Sequence, residues 1–368
     1  MTQLKPKPGI LDLPAYQGGR EAIAGVANPI KLSANESPLG PSPKAVEAYL
    51  AAADSLAIYP DGSALALREA LAAQHGLNPD QIVCGFGSDE LLQLLPQAYA
   101  GPGDEVIHTA HGFLVYKLAA TAAGATAVSV PEPNLVADVD AILAAVTEKT
   151  KIVFLANPNN PTGTMLNKDE VRALHAGLRD DIIFVLDGAY AEYVPEEKYE
   201  SGFELVAQAQ NVLTTRTFSK IHGLAALRLG WGYGAPEIIE VLNRMRGPFN
   251  VNSAAMAAGI ASVQDTAHIA KAVAHNTQWR GWLYDQLIAL GFDVVPSEAN
   301  FLLVHFEPES AVDAARADEV LCQAGLIARV VGSYGLPHSL RISIGTETAM
   351  KKVVDVFQQL RQMQEGAA

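Results

Sequence analysis

Lys220 stands in an apolar stretch rich in small residues, TRTFSKIHGLAALRLGW (215–231), with Arg228 eight positions further on. A lysine packed in such surroundings loses hydration, which lowers its pKa and makes its amine a nucleophile toward carbonyl groups. Thr217, Ser219 and Arg228 around it are side-chain types that bind oxyanions. Gly223, Ala225 and Ala226 permit close packing. Taken alone, Lys220 reads as one more solvated surface lysine. Three other segments change that reading.

In GFGSDE (85–90), Gly85 and Gly87 let the backbone approach a ligand, and the amides of Ser88 and Asp89 at a helix N-terminus suit a phosphate. By itself the same segment is also a tight turn with Ser88 or Asp89 as cap. NPNNPTG (157–163) is a stiff, non-helical loop and a rigid mount for the amide of Asn160. DGAY (187–190) ends an apolar run with Asp187, which needs a partner if buried, or else caps the next helix. Together these segments contain what is needed to hold a charged aromatic aldehyde. Lys220 reacts with the carbonyl, Asp187 pairs with a ring N–H⁺, and Asn160 and Tyr190 bond a phenolate-like oxygen. Ser88, Asp89, Thr217, Ser219 and Arg228 cradle a phosphate. Pyridoxal phosphate has all of these features.

The elements that must place these residues follow a regular grammar. Helical patterns at 64–75, 89–100, 113–124, near 138–147 and near 168–179 alternate with strand-like runs at 81–85, 105–109, 125–130, 151–156, 181–187, 211–215 and 227–234. This alternation predicts an α/β unit built on a mostly parallel sheet. Ligands of such sheets gather beyond the carboxyl ends of the strands, and each motif above follows a strand-like run. Beyond Pro248 a long helix at about 265–290, strands at 300–306, 326–331 (LIARVV) and 340–344, and a closing helix predict a smaller α+β domain. The reading divides the chain into an N-terminal segment, 1–35, that joins the small domain and the substrate site, a large domain, 36–250, and a small domain, 251–368.

Of 368 residues, 49% are hydrophobic, enough for a large core. Lys and Arg total 26 and Asp and Glu 40, a formal charge of −14, so net charge attracts neither nucleic acid nor an anionic membrane. Cys84 and Cys322 suggest no disulfide framework or metal cluster and are expected to behave as small core residues. The polar, Pro-rich start is unlike a signal peptide, and no apolar run reaches about 18 residues. The expectation is a cytoplasmic protein.

At this point the sequence resembles the fold-type I PLP aminotransferases and, among them, the histidinol-phosphate aminotransferases. The resemblance covers nearly the whole chain, from PGILDLPAYQGG and KLSANESPLGPSPKA through YPDG, GFGSDE, HGFLVY, NPNNPTG, DGAY and TFSKIHGLAALRLGW to RVVGSYGLPHSLRISIGT. It implies that Lys220 is the cofactor-linking and proton-shuttling lysine and Asp187 the pyridinium partner. Tyr190 and Asn160 are the implied ring-oxygen ligands, and Phe113 the aromatic stacked on the ring. It also implies that Tyr59 reaches the cofactor phosphate of a neighbouring subunit in a homodimer. Arg341 would hold the substrate's anionic end, Arg329 would select phosphate, Tyr16 would fold over the substrate, and Asn35 would line its site. The implied reaction exchanges an amino group between histidinol phosphate and 2-oxoglutarate, forming glutamate, in histidine biosynthesis. Related alternatives are an aromatic amino acid (Phe/Tyr) aminotransferase, a threonine-phosphate decarboxylase-like lyase and the effector domain of a transcription regulator. The chain departs from the family pattern at Ser37, Gly188, His222 and Ala226, and His222 reads as a packing substitute rather than a base.

Overall fold

The computed structural model describes residues 5–13, 18–308 and 310–367. Its centre is a seven-stranded sheet in the order Ile82–Phe86, Leu229–Gly234, Val212–Thr217, Ile183–Asp187, Thr150–Ala156, Glu105–Thr109, Thr126–Val130. All neighbours are parallel except Leu229–Gly234, which runs antiparallel to both strands beside it. The period-two pleat sends alternate residues to opposite faces. Val153, Leu155, Phe184 and Leu186 join one apolar cluster, while Ile152, Phe154, Ile183 and Val185 join another. Both faces are therefore covered, as a parallel sheet requires.

A second sheet of four strands, antiparallel throughout, has the order Arg329–Val330, Ser339–Ser343, Phe301–His305, Asp293–Val295. Helices Thr266–Ala289, Ala314–Gln323 and Glu347–Ala367 cover it through Leu283, Leu287, Leu321 and Phe357. No helix among the described residues is long and apolar enough to cross a membrane.

Three details differ from the sequence reading. The run LIARVV is not one strand. Leu326–Ile327 pairs in parallel with Ile30–Lys31, and Arg329–Val330 pairs with Ser339–Ser343, so the chain changes sheets at Ala328. Helix Pro43–Ala51 lies ahead of the first helical pattern read from the sequence, at 64–75, with Ser42 as its N-cap and Pro43 at the first helical position. Cys322 is half-buried with its Sγ against Arg20, while Cys84 is in the core. The difference arises because Cys322 lies where the helix Ala314–Gln323 meets the N-terminal segment rather than its own sheet.

His222 is buried, with Nδ1 2.8 Å from Ser262 Oγ and its ring 4.6 Å from that of Phe218. Burial, reinforced by His75 and His268, holds its pKa near 3, and burial holds His75 near 4. Both folded-state values lie below the ordinary 6.5, so as pH falls the unfolded chain takes up these protons first. The two groups contribute fully above about pH 6.5, and that contribution is lost on descent toward 4. Urea midpoints measured from about pH 7.5 down to about 4.5 should fall steadily, and His222→Phe should flatten the slope. A wild-type midpoint that stays constant over this range contradicts the account.

Candidate active site

The carboxyl ends of the parallel strands converge on Asp187, the last residue of its strand and 4% exposed. Tyr116 Oη donates to Asp187 Oδ2 at 2.7 Å, and Thr215 Oγ1 donates to Oδ1 at 2.9 Å. Burial raises the carboxyl pKa, opposed by these two hydrogen bonds. Neither donor is a cation, so the site favours a positively charged neighbour.

Lys220 follows the next strand in the sheet. It is half-buried, and its Nζ donates to the Ala34 carbonyl at 3.1 Å and lies 5.9 Å from the Tyr190 ring centroid. Desolvation, with Arg341 second, lowers its pKa to about 8. Asn35 Nδ2 donates to Tyr190 Oη at 2.9 Å, and Ser343 Oγ donates to Asn35 Oδ1 at 2.9 Å. Burial raises the Tyr190 hydroxyl to about 12, so it stays protonated near neutrality. The NPNNPTG loop is tied down by Asn157, whose amide side chain exchanges bonds with the Leu166 backbone at 3.0 and 2.8 Å. On that mount Asn160 Oδ1 accepts from Arg341 Nη1, which leaves its Nδ2 as a donor. Arg341 Nη2 also donates to the Ser33 carbonyl at 2.6 Å. Arg329 stands directly across the antiparallel ladder from Arg341.

An anion cup lies at the start of helix Ser88–Tyr99, which no side chain caps. Arg228 Nη1 donates to Ser219 Oγ at 3.1 Å and to the Ala225 carbonyl at 3.0 Å, and Nη2 meets Asp89 Oδ2 at 3.1 Å. Thr217 Oγ1 accepts from the Ser219 amide at 3.1 Å. Two glycines are needed for closure. A Cβ on Gly230 would sit 2.1 Å from the Ser88 nitrogen, and one on Gly87, at φ +75°, would sit 2.6 Å from Arg228 Nη2.

The structure thus brings together Ser88, Asp89, Thr217, Ser219 and Arg228, and separately Asn35, Asn160, Asp187, Tyr190, Lys220 and Arg341. Phe113 packs edge-on against Tyr116, 5.9 Å between centroids, beside Asp187's partner. Tyr59 is not at this centre. It is 79% exposed and stacks on Phe249. Tyr16 lies outside the described residues. The sequence reading missed Tyr116 and Thr215, although each sits within a motif already singled out. Gly188 has a steric reason, because a Cβ there would lie 2.0 Å from Arg216 Nη1. Ala226 is exposed, so a glycine lost at that position costs no packing.

In cofactor-free protein the neutral amine of Lys220 is the nucleophilic form, so its reactivity must rise with pH. Reductive methylation with formaldehyde, followed residue by residue by mass spectrometry, should reach its half-point near pH 8 at Lys220. Exposed lysines should do so near their ordinary value of about 10.4. A half-point for Lys220 equal to that of the surface lysines would remove the desolvation argument.

Residues 27–357 match the family described as aminotransferase class I and II. The chain is 52% identical over 356 residues to a histidinol-phosphate aminotransferase of Rhodopseudomonas palustris strain BisB18, covering 96% of this chain and 98% of that protein. It superposes on the crystal structure of histidinol-phosphate aminotransferase from Sinorhizobium meliloti in complex with pyridoxal-5'-phosphate, with TM-score 0.87 and 26% identity over 98% and 99% of the two chains. A Thermus thermophilus aspartate aminotransferase shares the fold, with TM-score 0.80 and 24% identity over 91% of each chain. A sheet that gathers a buried aspartate, a desolvated lysine and an anion cup, together with these matches over almost the full length, shows that the chain belongs to the class I and II aminotransferases, among the histidinol-phosphate aminotransferases.

Proposed function

We propose that the chain is a cytoplasmic, pyridoxal-phosphate-dependent transaminase of histidine biosynthesis that exchanges an amino group between histidinol phosphate and 2-oxoglutarate, giving glutamate. The observation that carries the substrate reading is Arg329 directly opposite Arg341 beside the lysine centre. Histidinol phosphate has no α-carboxylate, so its phosphate is its anionic handle, and 2-oxoglutarate brings two carboxylates. A pair of guanidinium forks can hold either anion.

The residues present fit the cofactor. Asp187 is a buried carboxylate bonded by hydroxyls and ready for a cationic ring nitrogen. The uncapped helix N-terminus with Ser88 and Asp89, together with Thr217, Ser219 and Arg228, suits its phosphate. Asn160 and Tyr190 would hold the ring oxygen, and Phe113 would stack on the ring. When bound, pyridoxal phosphate supplies an electron sink for the charge left when a proton leaves the substrate Cα. Lys220 Nζ takes that proton. Its lowered pKa leaves a substantial fraction neutral at pH 7–8, which suits a general base. Arg341 and Arg329 hold the anionic end, and Asn35 keeps the Tyr190 hydroxyl in place.

We take the active form as a homodimer in which Tyr59 reaches the neighbouring site. The exposure of Leu56 at 77%, Ile58 at 72% and Tyr59 at 79% supports that reading, because three neighbouring apolar side chains facing water mark a surface to be covered. We also take residues 36–250 as the cofactor domain and 251–368, joined by 1–35, as the small domain. Separate apolar clusters support two domains, although Val251, Ala255, Ala258 and Val263 pack in the cluster of the large sheet, so the helix Ser253–Gln264 sides with the cofactor domain.

Borohydride reduction in the presence of pyridoxal phosphate should fix a pyridoxyl group on the peptide that carries Lys220. Lys220→Ala should lose both that label and turnover, and an active Lys220→Ala protein refutes the mechanism. Histidinol phosphate, phenylalanine and tyrosine should then be compared with 2-oxoglutarate as acceptor. Histidinol phosphate should give the highest kcat/KM. Arg329→Ala should lower its advantage over phenylalanine by about ten- to a hundredfold, as loss of a charge-assisted hydrogen bond worth roughly 1.5–3 kcal/mol implies. Equal losses for both donors would favour an aromatic amino acid aminotransferase.

A further inference from the structure

Tyr59 sits on an outer turn, yet its ring is not loose. It stacks on Phe249 with centroids 4.7 Å apart and planes 21° from parallel. Phe249 is itself 45% exposed and has φ +56°, a left-handed backbone that a bulky residue rarely adopts. Such a conformation persists only where its surroundings over-determine it. Here two side chains supply that constraint. Arg246 donates from Nη1 to Asn250 Oδ1 at 3.0 Å and from Nη2 to the Gly62 carbonyl at 2.7 Å. Asn250 Nδ2 donates to Glu90 Oε2 at 2.7 Å and to the Cys84 carbonyl at 3.1 Å. Glu90 Oε2 also accepts from the Phe86 amide at 2.7 Å.

These bonds form a continuous path between two functional parts. At one end, Asp61 accepts from the Ser63 and Leu65 amides, each at 2.9 Å, and fixes the turn after Tyr59. A Cβ on Gly62 would lie 3.4 Å from the Phe249 ring, so turn and ring are in contact. At the other end, Glu90 belongs to the first turn of the helix whose Ser88 and Asp89 amides line the anion cup. The pair is anchored further by Arg246 Nε, which donates to Asn243 Oδ1 at 2.9 Å, and by the Cys84 carbonyl of the strand Ile82–Phe86.

We propose that Arg246 and Asn250 are positioning residues that hold Tyr59 in the pose it presents to the neighbouring protomer and tie that pose to the protomer's own phosphate cup. The proposal rests on the dimer reading. Two side chains whose hydrogen bonds reach neither the lysine centre nor Ser219 and Arg228 of the cup therefore set cofactor affinity in the other protomer. The guanidinium is suited to this because its planar fork reaches the Asn250 amide and the Gly62 carbonyl at once, which a lysine cannot do.

Mixed dimers test it. One protomer keeps Lys220 and is the only one that borohydride can label with a pyridoxyl group. Its partner carries Lys220→Ala and supplies Tyr59. The reading is the pyridoxal phosphate concentration that half-saturates the label. Arg246→Met on the partner should raise it about tenfold, as loss of a charge-assisted hydrogen bond implies. Tyr59→Phe on the partner should raise it similarly, and the two changes combined there should do no more than the larger one alone. Arg246→Lys serves if Arg246→Met fails to fold, and should shift it in the same direction. An unchanged value with Arg246 replaced on the partner, or full additivity with Tyr59→Phe, overturns the proposal and leaves the dimer standing. Monomers by light scattering at micromolar concentration would overturn both.

Discussion

A carboxylate sealed at the end of a buried strand sets the terms for the site around it. Removing Asp187 from water costs free energy that hydrogen bonds recover only in part. Two hydroxyls, from Tyr116 and Thr215, provide those bonds, and burial still dominates the direction of the shift. Tyr116 is fixed in turn by stacking on Phe154 at 4.6 Å, and its own pKa is pushed far up, so it remains a donor. One oxygen pair therefore draws on three elements: the strand Ile183–Asp187, the neighbouring strand Val212–Thr217, and the helix Val115–Ala123 packed across the sheet face. The folded chain keeps a local demand for positive charge, which is the property a protonated ring nitrogen satisfies.

The opposite wall is backbone. Three successive carbonyls accept from three different regions: Ser33 from Arg341 at 2.6 Å, Ala34 from Lys220 at 3.1 Å, and Asn35 from Asn300 Nδ2 at 2.9 Å. The choice of acceptor matters for Lys220. A carboxylate partner would hold the ammonium charged and raise its pKa, whereas a neutral carbonyl orients the amine without doing so. Burial and Arg341 can then lower the pKa to about 8. The same short segment thus aligns the Lys220 amine and the Arg341 guanidinium while leaving the amine able to give up its proton.

Much of this was legible in the sequence, for identifiable reasons. The apolar runs QIVCG, KIVFLA and DIIFVLD are short, β-rich and bounded by turn residues, so they read as buried strands. The loops after them fall where an α/β sheet collects ligands. The positions of Ser88, Asn160, Asp187 and Lys220 followed from that rule. What could not be read depends on strand order and on space. Thr215 reaches Asp187 because Val212–Thr217 happens to lie beside Ile183–Asp187 in the sheet. LRLGWGYG reads as a strand, but nothing in it states that it runs antiparallel to both neighbours. LIARVV looks like one strand because its composition is uniform, and the change of sheet at Ala328 is decided by which partners are available. Gly188 looks like a loss from the family pattern until the Arg216 guanidinium is found in the space a side chain there would need.

The placement of positive charge carries the argument one step further. This is an acidic chain, with 40 acidic against 26 basic residues, yet it sets Arg329 directly opposite Arg341 in an antiparallel ladder. Like charges facing each other across strands are unfavourable. In the anion cup, by contrast, Arg228 lies 3.1 Å from Asp89. That pair fixes a guanidinium fork at some cost in net positive charge. Two arginines facing each other across a ladder break that local rule, and such breaks are expected at functional positions. In the reading proposed above, a dianionic substrate end would offset that repulsion, which would favour a phosphate or a second carboxylate over a neutral side chain.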